Sequence, residues 1–189
     1  MANLILASGS ARRRELLQQL GLDFHILSPD IDESLHNNES VADYVQRLAK
    51  QKAQAVLKQH AGAVVIAADT SVSISNQILG KPHDREHAFA MWSMLSGKTH
   101  EVYSGVCVAS DTMLRSIVVK TEVEFQVLHQ SDMQYYWNSG EPLGKAGAYA
   151  IQGIAAQYIP RIVGSYSNVV GLPLHETVQL LKEFDVLEL

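Results

Sequence analysis

Apolar positions along the chain follow two rhythms: short continuous or alternating runs, and stripes spaced three and four apart. Residues 4–7 (Leu-Ile-Leu-Ala) form a short apolar run that predicts a buried strand, broken by Ser8, Gly9 and Ser10. Residues 11–20 place Leu16, Leu17 and Leu20 at helical spacing, and Gly21 supplies a stop. Residues 24–33 predict a second extended segment ending in the carboxylates of Asp32 and Glu33. From residue 41 to about residue 60 the stripe is Val45, Leu48, Ala49, Ala55 and Val56, with Ser40 and Asp43 as the helix start. "AVVIAADT" predicts a fully buried strand that closes on Asp69, and "VSISNQILGKP" a hairpin around Ser75 and Asn76. Asp84 predicts a helix cap, with the helix running to Leu95 and ending at Gly97. "VYSGVCVAS" and "SIVVKTEVEFQVL" predict two long antiparallel strands joined at Ser110 and Asp111. Residues 131–139 predict a helix, residues 140–153 a glycine-rich loop, and Pro173 or Leu174 opens the last helix. Helices alternate with strands in the first half and paired strands dominate the second, the pattern of an α/β protein with a mixed sheet.

Composition narrows the classes. The chain of 189 residues is long enough for one domain, residues 1–189, with room for two lobes. Hydrophobic residues make up 47 %, and 15 basic against 20 acidic residues give a net charge of −5. That balance argues against general nucleic-acid affinity, which needs a basic excess. The single cysteine, Cys107, excludes an internal disulfide and fits a reducing compartment. The first ten residues carry neither a charged leader nor a membrane-spanning run, so a cytoplasmic protein with no membrane partner is expected.

Against this acidic background, Arg12, Arg13 and Arg14 stand in the first turn of a helix, where the dipole disfavours cations. A strand, a small-residue turn and a helix start make an anion cradle, to which Ser8 and Ser10 add hydroxyls. Either a phosphate resolves the conflict or the run is a solvated face paired with acids such as Glu15; Arg14 is the member expected on the surface. Lys52 sits on the core-facing stripe, which calls for a carboxylate or phosphate partner or for snorkelling at the core rim. Asp69, with Thr70 beside it, follows a buried strand at the expected sheet edge, where α/β sites form; a plain turn aspartate is the other reading. If Glu33 and Asp69 converge, they suit Mg²⁺, which takes carboxylates with substrate phosphates. Lys81 lies in a narrow Gly80–Pro82 loop, either as a fixed cation or as an exposed turn lysine. His83 and His87, four apart, could pair on a helix, but with no zinc-protease glutamate and no third ligand they read as solvated histidines. The glycine-rich loop carries Lys145 and Gln152, whose amide can read a base edge if the loop closes on a ligand.

"LASGSARRRELL", "AADT", "ILGKP", "SGKTHEVYSGV", "GKAGAYAIQG" and "GSYSNVVGLPL", in order over nearly the whole chain, resemble the Maf-type nucleotide pyrophosphatases. Lys145, Ala146, Gly147, Tyr149 and Gln152 resemble the branch acting on dTTP and UTP rather than the sister branch preferring 7-methyl-GTP. The resemblance implies a two-lobed α/β fold around a mixed sheet flanked by helices, similar to inosine triphosphate pyrophosphatases, with the site in a central cleft. It implies Asp69 as proton acceptor and Arg12, Thr70 and Gln152 as the residues setting nucleotide preference. Arg13, Glu33, Lys52 and Lys81 would complete a charged pocket, with Ser8 and Ser10 at the phosphates and Lys145 on the substrate side. A homodimer using a divalent metal, Mg²⁺ or Mn²⁺, held by Glu33 and Asp69, is expected. The alternatives are a 7-methyl-GTP or modified-pyrimidine pyrophosphatase, or a nucleotide-binding regulator of cell division without turnover. Two departures from the family pattern matter, Ala11 in place of a proline and Gly144 in place of an aspartate before Lys145, while Ser104 for a threonine is minor.

Overall fold

A computed structural model describes residues 3–187. Its seven-stranded mixed sheet runs β2-β1-β3-β5-β6-β7, with β4 paired to the far part of β3. In chain order the strands are β1 (Asn3–Leu6), β2 (His25–Ile26), β3 (Ala63–Ile74), β4 (Gln77–Leu79), β5 (Thr99–Ala109), β6 (Leu114–Glu124) and β7 (Arg161–Val163). The helices are α1 (Ala11–Gln18), α2 (Val41–Leu57), α3 (Arg85–Leu95), α4 (Gln130–Asn138), α5 (Tyr166–Val170) and α6 (Leu174–Glu183). β1 is parallel to β2 and β3, and every other pairing is antiparallel.

Helix starts are set by local chemistry. Ser40 Oγ accepts the Asp43 N–H at 3.1 Å and donates to the Asp43 carboxylate at 2.6 Å, capping α2. Asp84 accepts the His87 N–H at 2.8 Å and caps α3. The β3–β4 hairpin turns through Ser75 (φ 50°) and Asn76 (φ 63°), the paired left-handed geometry of a tight hairpin loop. The buried face of α2 holds Val45, Leu48, Ala49, Lys52, Ala53 and Val56; Ala53, not the expected Ala55, completes the stripe. Only His25 and Ile26 of the expected second extended segment join the sheet; the chain from 27 to 40 is irregular.

Alternation along β3 builds the core on both faces of the sheet. Val65 and Ala67 pack with α2 residues on one face. Val64, Ile66 and Ala68 meet Leu16, Leu17, Leu172 and Leu181 on the other. Further along that second face, Val72 and Ile74 enter a separate cluster with Met91, Trp92, Leu95 and Tyr136. A polar seam divides the two clusters. Thr70 Oγ1 lies 2.8 Å from Ser104 Oγ, which donates to the Asn168 carbonyl at 3.1 Å. Asn168 Nδ2 in turn donates to the Val102 carbonyl and to Thr121 Oγ1. This seam is the waist of a two-lobed molecule, and β3 and β5 run through both lobes.

The second lobe buries a histidine. His100 is 1 % exposed, packs edge-on to Phe125 and Tyr149, and shares one hydrogen bond with Tyr149 Oη at 2.8 Å. Burial pulls its pKa down to about 4, so the folded state keeps the ring neutral. The unfolded chain protonates this ring below its ordinary value of 6.5, whereas the folded chain does not until about 4. Stability contributed here is therefore present above 6.5 and falls as pH drops through that window, by about 3 kcal/mol at pH 4. His100→Phe is expected to lose less stability than the wild type between pH 7 and pH 4.5 in urea titrations. Equal acid sensitivity of the two proteins would reject this account.

Candidate active site

The site forms where the sheet has a gap. β1 partners β3 as far as Ile66, and β4 partners it from Val72 onward. Residues 67–71 of β3 consequently have β5 on one edge and no strand on the other. Asp69 is at the middle of that open edge. This corrects the expectation that Asp69 follows the strand: β3 continues five residues past it to Ile74. The break in strand pairing itself opens a crevice along the sheet.

Asp69 faces α2, and Lys52 reaches it from there. Lys52 Nζ donates to Asp69 Oδ1 at 2.8 Å and pairs with Glu33 Oε1 at 2.6 Å. Lys52 and Asp69 are each 8 % exposed, so the lysine on the core-facing stripe has carboxylate partners rather than a snorkelling path to water. Burial works against ionisation of Glu33, but the Lys52 hydrogen bond and the charges of Lys52, Lys81 and Arg13 outweigh it and lower its pKa. The irregular segment bearing Glu33 is tied down by α2. Tyr44 Oη donates to the Glu33 carbonyl at 2.9 Å. Arg47 grips both oxygens of Glu39 at 2.6 and 2.7 Å and donates to the Ser34 carbonyl.

The arginines resolve their conflict with the α1 dipole through a second helix. Arg13 Nε donates to the Gly171 carbonyl at 2.8 Å, and Arg12 Nε to the Val170 carbonyl at 3.3 Å. Those carbonyls end α5, so cations at one helix start meet the negative end of another. Arg13 also donates to Ser8 Oγ and Thr70 Oγ1, each at 3.1 Å. Burial lowers the Arg13 pKa, and the Asp69 charge opposes that shift. A guanidinium has five N–H donors; these three bonds leave two for a ligand. Ser10 Oγ accepts the Arg13 N–H as the α1 cap, and Ser8 Oγ accepts the Ser10 N–H. Arg14 is exposed, as expected.

The opposite wall comes from the second lobe. Lys81 is exposed beside the cleft, just past β4. The glycine-rich stretch is ordered, with a 3-10 turn at Ala146–Ala148 anchored where the Gly147 N–H donates to the Gly80 carbonyl and Trp92 Nε1–H donates to the Ala148 carbonyl. Gln152 is exposed on this wall. Lys145 Nζ donates to the carbonyls of Glu141 and Leu143 at 3.2 Å, beside the acid-free Gly144. Burial and the charge of Arg12 lower the Lys145 pKa, which places these two cations in reach of each other's field. His83 and His87 do not pair on a helix: His83 precedes the α3 cap, and its N–H donates to His87 Nδ1 at 3.3 Å. Both histidines border the cleft.

Together these walls enclose about 1160 Å³. Among the described residues, Arg12, Arg13, Lys52, Lys81 and Lys145 line it against two carboxylates, Glu33 and Asp69. A chain of net charge −5 has thus concentrated positive charge in one hollow. All eleven candidate residues, Ser8, Ser10, Arg12, Arg13, Glu33, Lys52, Asp69, Thr70, Lys81, Lys145 and Gln152, border it. Sequence reading missed Tyr44 and the α5 carbonyls of Val170 and Gly171. Tyr44 sits one residue before a stripe position and left no signal. The α5 helix, five residues long, is too short to show periodicity.

The sequence matches known proteins over nearly its whole length. The Maf-like protein family profile covers residues 3–184. A dTTP/UTP pyrophosphatase of Acinetobacter baylyi is 62 % identical over 94 % of this chain and 97 % of its own length. Its counterpart from Myxococcus xanthus is 52 % identical over 95 % and 91 % of the two chains. Among solved structures, the Staphylococcus aureus Ham1 protein aligns at a TM-score of 0.45 and 15 % identity, covering 65 % of this chain and 71 % of its own. With a family profile over residues 3–184 and relatives above half identity over 94 and 95 % of its length, the chain belongs to the Maf family.

Proposed function

We propose that the whole chain works as one pyrophosphatase domain that hydrolyses dTTP and UTP to the monophosphate and pyrophosphate. The observation that carries this reading is the single cleft with five cations against two carboxylates, the electrostatic complement of a triphosphate. Close similarity to dTTP/UTP pyrophosphatases supplies the substrate class.

In this reading water attacks the α-phosphorus, an O–P bond forms, and the bond to the bridging oxygen breaks to release pyrophosphate. Asp69 takes the proton from the water. Lys52 holds Asp69 Oδ1 and leaves Oδ2 for that water. Arg13, through its two remaining N–H groups, and the ammonium groups of Lys52 and Lys81 neutralise charge on the departing pyrophosphate. Such a mechanism is mostly positioning and preorganised charge. Ser8 and Ser10 keep their O–H groups for phosphate oxygens. Arg12, Thr70 and Gln152 set nucleotide preference, Thr70 by fixing Arg13 and Gln152 by its free amide. Lys145 adds charge on the same wall.

The donor set suits Mg²⁺ or Mn²⁺ only in part. Glu33 and Asp69 both lie within 2.8 Å of one ammonium nitrogen, so two carboxylates are close together. Among the described residues no group of three or more His, Cys, Asp or Glu side chains can hold a metal. A divalent cation at Glu33 and Asp69 would therefore complete its shell with triphosphate and water oxygens, the habit of Mg²⁺. When bound, it neutralises phosphate charge. The same reading makes the protein a cytoplasmic homodimer. No helix among the described residues is long and apolar enough to cross a membrane.

A panel of triphosphates assayed for pyrophosphate release tests the function. The highest kcat/KM is expected for dTTP and UTP, at least tenfold above CTP and GTP, about 1.4 kcal/mol of discrimination. Highest kcat/KM for 7-methyl-GTP, or protection against melting without any pyrophosphate, would overturn it.

A further inference from the structure

The turn that presents Gln152 is gripped at both ends by one pair of side chains outside the cleft. Residues 150–153 form a turn closed by the Gly153 N–H to the Ala150 carbonyl at 3.1 Å. Before Gln152, the Ala150 N–H donates to Tyr136 Oη at 3.1 Å. After it, the Ile154 N–H donates to Glu141 Oε2 at 2.9 Å. The two anchors are joined, because Tyr136 Oη donates to Glu141 Oε1 at 2.7 Å. Four backbone and side-chain groups thus close one ring, with Gln152 at its apex.

The fit leaves no slack. A Cβ on Gly153 would stand 2.0 Å from Glu141 Oε2 and 2.4 Å from Cδ, well inside contact distance. The carboxylate occupies the space a side chain would need, so the turn lies directly against it. Tyr136 is 3 % exposed and its ring packs against those of Trp92 and Tyr158. The side chains of Glu141 and Tyr136 take no part in the proposed chemistry and neither lines the cleft, although the Glu141 carbonyl also holds Lys145 Nζ. A carboxylate that accepts from a phenol with one oxygen and from a backbone amide with the other ties the turn to the ring.

We propose that Tyr136 and Glu141 are positioning residues that hold Gln152 for base discrimination without touching the nucleotide. This rests on the reading of Gln152 as the base-contacting amide. Loosening the ring leaves the phosphate-binding wall of the first lobe untouched. Its signature is therefore a loss of selectivity between bases rather than a general loss of turnover.

The test measures kcat/KM for dTTP, UTP, CTP and GTP in the full-length wild type and in Gln152→Ala, Tyr136→Phe, Glu141→Gln and Tyr136→Phe/Gln152→Ala. Gln152→Ala is expected to lower the preference for dTTP and UTP over CTP and GTP by about 10- to 100-fold, the range for an unmade buried hydrogen bond. Tyr136→Phe and Glu141→Gln are expected to lower the same ratio about 5- to 20-fold each. The double variant is expected to be no less selective than Gln152→Ala alone, because the Tyr136 hydroxyl acts on the turn that carries that residue. Glu141 is partly exposed, so Glu141→Gln serves if Tyr136→Phe does not fold. Wild-type selectivity in the folded clamp variants, with Gln152→Ala impaired, would overturn the clamp and leave the base-reading role intact. Wild-type selectivity in Gln152→Ala would overturn both. Equal losses of kcat/KM for all four nucleotides in the clamp variants would reduce Tyr136 and Glu141 to a purely structural role.

Discussion

Asp69→Asn is expected to lower kcat for pyrophosphate release by about 100- to 10,000-fold, the range for one positioned proton acceptor. Asparagine keeps the shape and an oxygen for Lys52, so the ammonium at 2.8 Å retains an acceptor. Lys52 also keeps Glu33 at 2.6 Å, and no buried charge is left wholly alone. The fold should therefore survive, and dTTP should still raise the melting temperature of the variant. KM should move only a few fold. Undiminished turnover would refute the role of Asp69 as base. Loss of nucleotide protection together with turnover would move Asp69 from proton transfer to binding.

Much of this site is visible in the order of residues, for a physical reason. Periodicity exposes a charge on a stripe that should be apolar, and Lys52 was legible on that ground. The arginines stood out because they oppose a helix dipole. What the pattern could not tell was the partner that settles the conflict. The carbonyls of Val170 and Gly171 lie 158 residues away from Arg12 and Arg13 in sequence, and backbone acceptors carry no residue signature. The position of Asp69 within β3 was hidden for a related reason. "DTSVSI" alternates as a strand should, but the apolar run before it ends at Ala68, and the change of rhythm reads as a boundary. In fact the strand passes from one lobe to the other, and its polar residues mark the waist. The seam of Thr70, Ser104, Thr121 and Asn168 was equally silent, because buried polar residues reveal themselves only when their partners are known.

Gly105 carries the second large expectation, and it comes from packing rather than chemistry. It pairs with Asp69 across β3 and β5, directly beneath α2. A Cβ there would lie 2.3 Å from the Val45 carbonyl oxygen, 2.5 Å from its carbon and 2.8 Å from the Gln46 nitrogen. All three atoms are helix backbone, so no rotamer change relieves the clash and the helix itself must lift. Lys52 rides on α2 two turns further on, and its ammonium meets Asp69 only because the helix lies this close. Gly105→Ala should destabilise by about 1–3 kcal/mol, the usual cost of overpacking. For a chain of this size that is a fall in Tm of roughly 3–10 °C. A displacement near 1 Å at a reacting centre costs on the order of 100-fold in rate. The variant should therefore lose kcat at temperatures where it remains fully folded, and Lys52 should no longer bridge Glu33 and Asp69. Melting and turnover are measured on the same preparation. A folded Gly105→Ala protein with wild-type kcat would mean that the approach of α2 to the sheet does not set the geometry around Asp69.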